Sequence, residues 1–419
     1  MAKGSGFGSD RRARLLGVLP RSPRSGGGTA NPLFPLFFPP TLISLSPSSG
    51  TADGGTIVTL TGFNFRTGAT VLFNGLAATV TAVTPTHATV TTPAHAAGTV
   101  SVTITNTDGQ NSVLANSYAY LLPLVVVGQD QAAYSIDDGV TWVIGTIPVG
   151  AWASVAWAAD RYIAISPQGK SAISFDGKTW AAGGNLPQAS GYQVVTSNPA
   201  GILVAMRNVI TGLFCRSIDG GVTWGDEFSP GAGSGGANNM GWDGSNFVAV
   251  LGGASRSSPD GAAWSSPTVA SGLGSGALQH TGFVNTGAKI IASGTFAGVG
   301  KAFFSTNSGN AWSNVNSIPW NGNTDYAWNG NIFLIFQHFA GSVATSPDAI
   351  TWTTLTTVAG LAGTLIWTGK FFLVNRGTGG RSVSRTVDGV SWIDAAIAIP
   401  AGTGQAWVDM AAQRFRWSS

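Results

Sequence analysis

The segment Ser217–Trp224 of this 419-residue chain reads SIDGGVTW, and six further segments repeat its order of Ser or Thr, Asp or Asn, a small residue and a final Trp. The final residues of the seven segments are Trp142, Trp180, Trp224, Trp264, Trp312, Trp352 and Trp392. A period of about 40 residues, with short apolar strands between turns, is typical of a β-propeller with one four-stranded blade per repeat. Seven repeats over residues 122–419 therefore predict seven blades.

A second motif, a Trp followed by a turn and an aromatic residue, precedes most of these segments. It reads MGWDGSNFVAV at 240–250 and LIWTGKFFLV at 365–374. The first repeat lacks the motif and has only Leu124–Val127 before it, whereas AWVDMAAQRFRW stands at 406–417. We therefore expect the C-terminal strand to complete the first blade, which closes the ring and removes free sheet edges.

The repeated SxDxGxTW pattern resembles the Asp-box, or BNR, repeat of sialidase-like propellers. In such a turn the Asp can accept amide hydrogens, the Gly supplies a positive φ, and the Trp covers the hairpin. One carboxylate per blade indicates architecture rather than catalysis or calcium binding. The predicted structural positions, besides the seven Trp residues, are Asp137, Asp176, Asp219, Asp260, Asn307, Asp348 and Asp388.

Residues 41–121 have a different rhythm, with short strands of alternating apolar and polar residues between Pro, Gly and Asn-Asp turns. This pattern predicts an immunoglobulin-like sandwich. The segment resembles the IPT/TIG family, and the resemblance implies a spacer or binding module without chemistry of its own. The matching positions include Pro47, Gly54, Gly55, Gly62, Asn64, Phe65, Phe73, Asn106, Asp108, Gly109 and Tyr120.

The charge of the chain is unevenly distributed. Residues 1–40 contain six Lys or Arg and one Asp, which gives +5, whereas the rest contains 15 basic and 17 acidic residues, which gives −2. Residues 1–40 are also rich in Gly, Ser and Pro, so we expect an unstructured arm that docks on a partner protein. We expect no nucleic acid partner, no membrane insertion and no secretory signal.

The small number of acidic residues allows each one to be considered as a catalytic group. A glycosidase needs two carboxyl groups, and most of the 18 acids fall in turns. We assign Asp409 to the turn of the first hairpin and Glu227, the single Glu, to an outer strand. Asp130 and Asp325 remain as an alternative catalytic pair, expected within roughly 5–10 Å of each other.

Loops on the side opposite the repeated turns carry aromatic, amide and arginine side chains that suit sugar rings. The alternative is that these side chains only pack between loops. The ligand-binding candidates are Trp152, Tyr192, Asn208, Trp320, Gln337, His338 and Arg376. The four His residues do not cluster and Cys215 is a single, predicted core residue, so we expect no metal site and no cofactor.

These features together favour a bacteriophage virion surface protein, such as a fibre, a tail-tip component or a head decoration. Residues 1–40 are expected to bind other virion proteins, and the propeller to present a face to host glycans or a receptor. We expect the protein on the particle surface, extracellular after release, and a homo-oligomer is compatible with this role. The alternatives are a glycan-degrading enzyme using Asp130 and Asp325 and an inert structural virion protein.

Overall fold

The computed structural model of the chain describes residues 38–207, 212–229, 237–251, 254–269, 283–286, 289–296, 299–315, 324–337, 340–355, 357–358, 360–376, 382–397 and 407–411. These residues form strands and turns, which confirms the predicted all-β class. Among them there is no helix with the length and apolar character needed to cross a lipid bilayer. The residues from Pro40 onwards belong to one compact unit.

The first domain is a sandwich of two sheets. Its strands are β1 (Thr41–Ser46), β2 (Ser49–Thr51), β3 (Ile57–Phe63), β4 (Thr70–Phe73), β5 (Leu76–Ala77), β6 (Thr79–Val83), β7 (His87–Thr91), β8 (Gly98–Thr105) and β9 (Asn111–Leu121). One sheet has the order β1-β3-β7-β6 and the other β2-β9-β8-β4-β5, and all neighbouring strands are antiparallel except β2 and β9, which are parallel.

Alternation of side chains along the strands produces the core of this sandwich. In β3, Val58 and Leu60 are buried while Ile57 is exposed, as expected for a strand with one face on the core. The Phe73 ring contacts Tyr118 edge-on at 5.0 Å between ring centroids. A Cβ atom at Gly62 would lie 2.0 Å from the Thr41 carbonyl oxygen, so close strand contact requires glycine there.

The second domain has seven sheets arranged as the blades of a propeller, and its strands follow those of the sandwich in chain order. Blade 1 contains β10 (Leu124–Gly128), β11 (Gln131–Ser135) and β12 (Val143–Gly145). Blade 2 contains β13 (Ser154–Ala158), β14 (Arg161–Ile165), β15 (Ser171–Ser174) and β16 (Ala181–Ala182). Blade 3 contains β17 (Tyr192–Ser197), β18 (Leu203–Arg207) and β19 (Leu213–Ser217), and blade 4 contains β20 (Ala237–Trp242), β21 (Phe247–Leu251), β22 (Ala254–Ser258) and β23 (Thr268–Val269).

The remaining strands complete the ring. Blade 5 contains β24 (Phe283–Asn285), β25 (Ile290–Phe296), β26 (Val299–Ser305) and β27 (Ser313–Val315). Blade 6 contains β28 (Thr324–Trp328), β29 (Phe333–Gln337), β30 (Val343–Ser346) and β31 (Thr353–Thr354), and blade 7 contains β32 (Leu361–Trp367), β33 (Phe372–Arg376), β34 (Ser382–Thr386) and β35 (Ile393–Ala396). The last strand, β36 (Trp407–Ala411), pairs with β10 and confirms the predicted closure by the C-terminal strand.

The cores of the propeller lie between neighbouring blades. One cluster joins Val126 and Trp142 of blade 1 to Leu373 of blade 7, and similar clusters join the other neighbours. Because each blade presents an apolar face on both sides, its second strand is almost completely apolar, as in Phe247–Leu251. Among the described residues blade 3 has three strands, and a bridge between Phe214 and Phe228 lies where the other blades have a fourth strand.

Candidate functional site

The repeated turns have a common hydrogen-bond network that depends on their Asp. In blade 3, Asp219 accepts hydrogen bonds from the Ser217 hydroxyl at 2.8 Å and from Thr223 N at 2.9 Å. Burial raises the pKa of Asp219, but the bonds from Thr223 and Ser217 outweigh it and lower the pKa overall. Asn307 accepts the matching bonds in blade 5, from Ser305 at 3.0 Å and from Ala311 N at 2.7 Å.

The Gly of each repeated turn also packs against the preceding blade. A Cβ atom at Gly261 would lie 2.5 Å from Val204 Cγ2 of blade 3, and φ at Gly261 is +74°. In blade 6 the matching residue is Ala349, which is buried and has φ of +64°. Positive φ and blade contact therefore explain why this position favours the smallest side chains.

The innermost strands are joined by polar side chains at matching positions. Asp325 in β28 accepts from Tyr326 N of its own strand and from Leu365 N of blade 7, both at 2.8 Å. An innermost strand has an unpaired edge, and these N–H groups belong to such edges. The Asp325 carboxylate therefore links blade 6 to blade 7 by satisfying two edge amides.

Asp409 in β36 repeats this geometry at the closure of the ring. It accepts from Met410 N and from Val155 N of blade 2, both at 2.9 Å. It also accepts from the hydroxyls of Ser154 and Thr364, both at 2.8 Å. Asp409 therefore connects blades 7, 1 and 2, and it lies within a strand rather than in the hairpin turn to which the sequence analysis assigned it.

We call Asp325, Thr364, Asp409 and Ser154 the inner polar belt. Ser154 extends the belt by accepting from Val195 N of blade 3 at 3.2 Å. Burial raises the pKa of Asp325 to about 7, and the neighbouring Asp409 raises it as well. Burial also raises the pKa of Asp409, against the hydrogen bonds that it accepts. The belt therefore brings together two acids that compete for ionisation.

The alternative catalytic pair, Asp130 and Asp325, occupies two different settings. Asp130 is exposed with φ of +56°, and its carboxylate accepts from Gly150 N at 2.8 Å. Asp325 has both carboxylate oxygens bound to backbone amides, and the carboxylate that affects its pKa is Asp409. Both members of the pair thus have structural partners.

A cluster on blade 3 contains Glu227, the single Glu, which is predicted on an outer strand. The Tyr192 hydroxyl donates to Glu227 at 2.7 Å, and the Arg207 guanidinium binds the other carboxylate oxygen at 3.1 Å. Burial and the bond to Glu227 raise the pKa of Tyr192. Burial raises the pKa of the adjacent Cys215 thiol to about 12, and Cys215 is the buried core residue that was predicted.

Two of the predicted ligand-binding residues are buried. The Trp152 and Tyr192 side chains are 1% and 0% exposed, and the Trp152 indole donates to the Pro148 carbonyl at 3.0 Å. Neither side chain offers a surface to a ligand, which corrects that prediction; they fill the space between blades. The sequence motif was ambiguous because packing and sugar stacking both favour aromatic residues.

The other ligand-binding candidates are described only in part. Gln337 ends β29 and is partly buried, with its backbone N–H donating to the Ser342 carbonyl at 2.8 Å. Arg376 ends β33 opposite Leu361, and its side chain lies outside the described residues. Asn208, Trp320 and His338 lie outside the described residues altogether. The described members of the predicted set therefore do not form one site, and Arg207 and Glu227 lie beside Tyr192.

Across the described ranges, no group of three or more His, Cys, Asp or Glu side chains is placed to hold a metal ion.

A cleft of about 690 Å³ lies between the sandwich and blades 1 and 7, with Thr51, Thr99 and Ile136 among its lining residues. At its propeller side, Lys370 forms an ion pair with Asp138 at 3.5 Å.

Comparison with known proteins identifies the first domain. Residues 40–120 match the model of the IPT/TIG domain. None of the curated proteins compared with the chain matches it.

Several solved structures are similar to the chain in fold. A functionally unknown protein from Desulfotomaculum acetoxidans is 10% identical over 70% of this chain and 98% of its own, with a TM-score of 0.53. YCF48 from Cyanidioschyzon merolae is 14% identical over 58% of this chain and 84% of its own, with a TM-score of 0.45. At such identities the similarity concerns the fold alone. The chain thus consists of an IPT/TIG domain followed by a β-propeller.

Proposed function

We propose that this chain is a bacteriophage virion surface protein that displays a binding propeller. In this proposal residues 1–40 anchor the chain to another virion protein, the IPT/TIG domain is the spacer, and the repeated turns are Asp-box turns. The side of the propeller opposite those turns faces the host and binds a surface glycan or receptor.

The observation that carries this proposal is that the carboxylates outside the repeated turns bind structural partners. Outside the repeated turns, the acids that could serve chemistry are held by structural partners. Asp130 holds Gly150 N, Asp325 and Asp409 hold edge amides, and Glu227 holds Tyr192 and Arg207. A glycosidase needs one acid able to donate a proton and a second able to act on sugar or water. Because these carboxylates are already bound by other residues of the chain, they support glycan binding over glycan hydrolysis.

The distribution of charge supports the anchoring part of the proposal. The +5 segment of residues 1–40 precedes a remainder with net charge −2. A basic segment rich in Gly, Ser and Pro loses conformational entropy when it becomes ordered on a partner. Such a segment suits an attachment arm more than a piece of either folded domain.

Particle assembly tests the anchoring part. The full chain and a variant lacking residues 1–40 are each expressed during phage infection, and purified particles are assayed for the protein. We expect the full chain in particles and the shortened chain only in the unassembled fraction. Equal incorporation of both would contradict the anchor.

A glycan-array screen of the full chain tests the displayed face. We expect a restricted set of glycans to bind, and Gln337→Ala to weaken that binding at least threefold. Lys370→Gln is the matched control, because Lys370 is exposed on the side of the repeated turns. No binding to any glycan would favour the inert structural role, and equal loss in both variants would contradict the assigned face.

The glycan-degrading alternative has one observation in its favour. A pKa of about 7 at Asp325 lies in the range that suits a general acid. The enzyme alternative predicts that the full chain hydrolyses a glycan that it binds and that Asp130→Asn and Asp325→Asn each abolish hydrolysis. The proposed binding function predicts instead that the glycan is bound without release of reducing ends.

A further inference from the structure

The exposed apolar side chains of the propeller are concentrated on one side. Ten of the eleven large exposed hydrophobic residues in its described part lie in a repeated turn or directly after its Trp, and Val149 is the exception. Ile218 and Val222 of blade 3 are 71% and 52% exposed, and Phe175 of blade 2 is 60% exposed. The ten residues belong to blades 1, 2, 3, 6 and 7, and apolar side chains exposed together on one side of a protein are a feature of interaction surfaces.

We call this side of the propeller the turn face; it comprises the seven repeated turns and the turns between the first and second strands. Contacts between the two kinds of turn establish that they share one side. Arg161, directly after the first-hairpin turn of blade 2, lies 4.5 Å over the Phe175 ring. Lys289 Nζ in blade 5 donates to the Asp348 carbonyl of blade 6 at 3.2 Å.

The turn face is also acidic. Its turns and the residues directly beside them include nine described Asp and six described Lys or Arg, which gives a net charge of −3. The acids are Asp137, Asp138, Asp160, Asp176, Asp219, Asp243, Asp260, Asp348 and Asp388, and the basic residues are Arg161, Lys178, Arg216, Lys289, Lys370 and Arg385. Backbone hydrogen bonds lower the pKa of Asp348 and Asp388, so their charges persist at neutral pH.

The turn face already contacts one protein module, the chain's own IPT/TIG domain. Lys178 of blade 2 forms an ion pair with Asp53 of that domain, and Ile136 and Asp138 of blade 1 line the cleft between the domains. The exposed tips of blade 3 continue this interface along the ring. A surface that is apolar, acidic and continuous with a protein contact requires a partner that is apolar and basic.

We propose that the turn face docks the N-terminal segment, residues 1–40, of a second copy of this chain. That segment carries +5 and contains the apolar run PLFPLFF at 32–38, so its charge and its apolar side chains complement the turn face. The proposal rests on the proposed virion function, because virion surface proteins assemble in many copies, and it makes a neighbouring copy of this chain the virion protein to which residues 1–40 attach. It makes the contact heterologous, since two different surfaces meet.

Sedimentation velocity of the full chain, over a range of concentrations at low salt, tests this docking. We expect reversible self-association that weakens at least tenfold on going from 50 to 500 mM NaCl, as screening predicts. The double variant Ile218→Ser with Val222→Ser, and the triple variant Arg11→Glu, Arg12→Glu and Arg14→Glu, are each expected to weaken association at least tenfold. Val149→Ser, exposed but away from the turn face, is the matched control and is expected to associate like the wild type.

The remaining outcomes overturn the proposal. A chain that stays monomeric at all concentrations, or association that survives both variants, excludes this docking. Binding of the full chain to phosphatidylcholine vesicles without self-association identifies a lipid surface as the occupant instead. Thermal unfolding of each variant shows that it is folded. Failure here leaves glycan binding unaffected, because the glycan array reports on the opposite side of the propeller.

Discussion

The Thr364 hydroxyl donates a 2.8 Å hydrogen bond to Asp409, so a side chain of blade 7 holds the strand that closes the ring. Pairing of β36 with β10 supplies the sheet hydrogen bonds of the closure. The inner polar belt adds hydrogen bonds from one blade to the next. The closing strand is therefore held by sheet pairing and also by one carboxylate that contacts both neighbouring blades.

Asp409→Ala is expected to destabilise the protein by about 2–4 kcal/mol, because two edge amides and two hydroxyls lose a charged acceptor. Met410 N and Val155 N are the amides concerned. Chemical denaturation followed by Trp fluorescence measures the free energy of unfolding. Asp226→Asn, at an exposed position of blade 3, is the control and is expected to change that free energy by less than about 0.5 kcal/mol. Equal stability of both variants would show that β-sheet pairing alone closes the ring.

The stability of the protein is expected to depend on pH through Asp325. The pKa of Asp325 is raised to about 7 in the folded state, against about 3.9 in the unfolded chain. Between these values the folded protein binds more protons, so the free energy of unfolding decreases as pH rises from about 4 to about 7. The repeated-turn acids act in the opposite direction, since their lowered pKa values remove stability below about pH 4.

Thermal unfolding from pH 3 to pH 8 measures this dependence, and the melting temperature is expected to be highest between about pH 4 and pH 5. Asp325→Asn removes the titrating group, so the decrease between pH 5 and pH 7 is expected to become shallower. An unchanged slope in this variant would assign the pH dependence to other groups. Asp243→Asn, which keeps the acceptor oxygen of an exposed turn, is expected to retain the wild-type slope.

The fold could be predicted from the sequence because the hydrogen bonds of each repeated turn join residues close together in the chain. Each SxDxGxTW turn is formed within eight residues, as the bonds from Ser217 and Thr223 to Asp219 show. Its period therefore gives the number of blades without knowledge of tertiary contacts. The unmatched Leu124–Val127 strand and the unmatched C-terminal hairpin then have one topological solution, the pairing of β10 with β36.

The polar groups of the inner strands were predicted less well because their partners are distant in sequence. Asp409 follows Val408 and Trp407 much as Asp243 follows Trp242, which suggested the same turn. Register with β10 instead places Asp409 opposite Val127, within the strand. The contacts of Glu227 were missed for a related reason, because its partners Tyr192 and Arg207 are 35 and 20 residues away in the chain.

Asp219→Ala is expected to lower the free energy of unfolding by about 1–2 kcal/mol, whereas Asp219→Asn is expected to lower it by less than about 1 kcal/mol. The Ala variant loses the acceptor for Ser217 and Thr223, while an amide oxygen retains it, as Asn307 does in blade 5. Urea denaturation of the two variants and the wild type measures the difference. Glycan binding is expected to be unchanged in both, and its loss in a folded Ala variant would give the repeated turn a role in recognition.

Gly261→Ala is expected to destabilise the protein more than Gly244→Ala, although both residues have positive φ in blade 4. At Gly244, with φ of +101°, a Cβ atom meets nothing within 4 Å, so the cost is that of the backbone conformation, about 1–2 kcal/mol. At Gly261 the same cost applies, and the Cβ atom also lies 2.5 Å from Val204 Cγ2 of the preceding blade. Overpacking of this kind adds about 1–3 kcal/mol. The difference in unfolding free energy between the variants isolates the blade contact, and equal values would mean that glycine serves only its own turn.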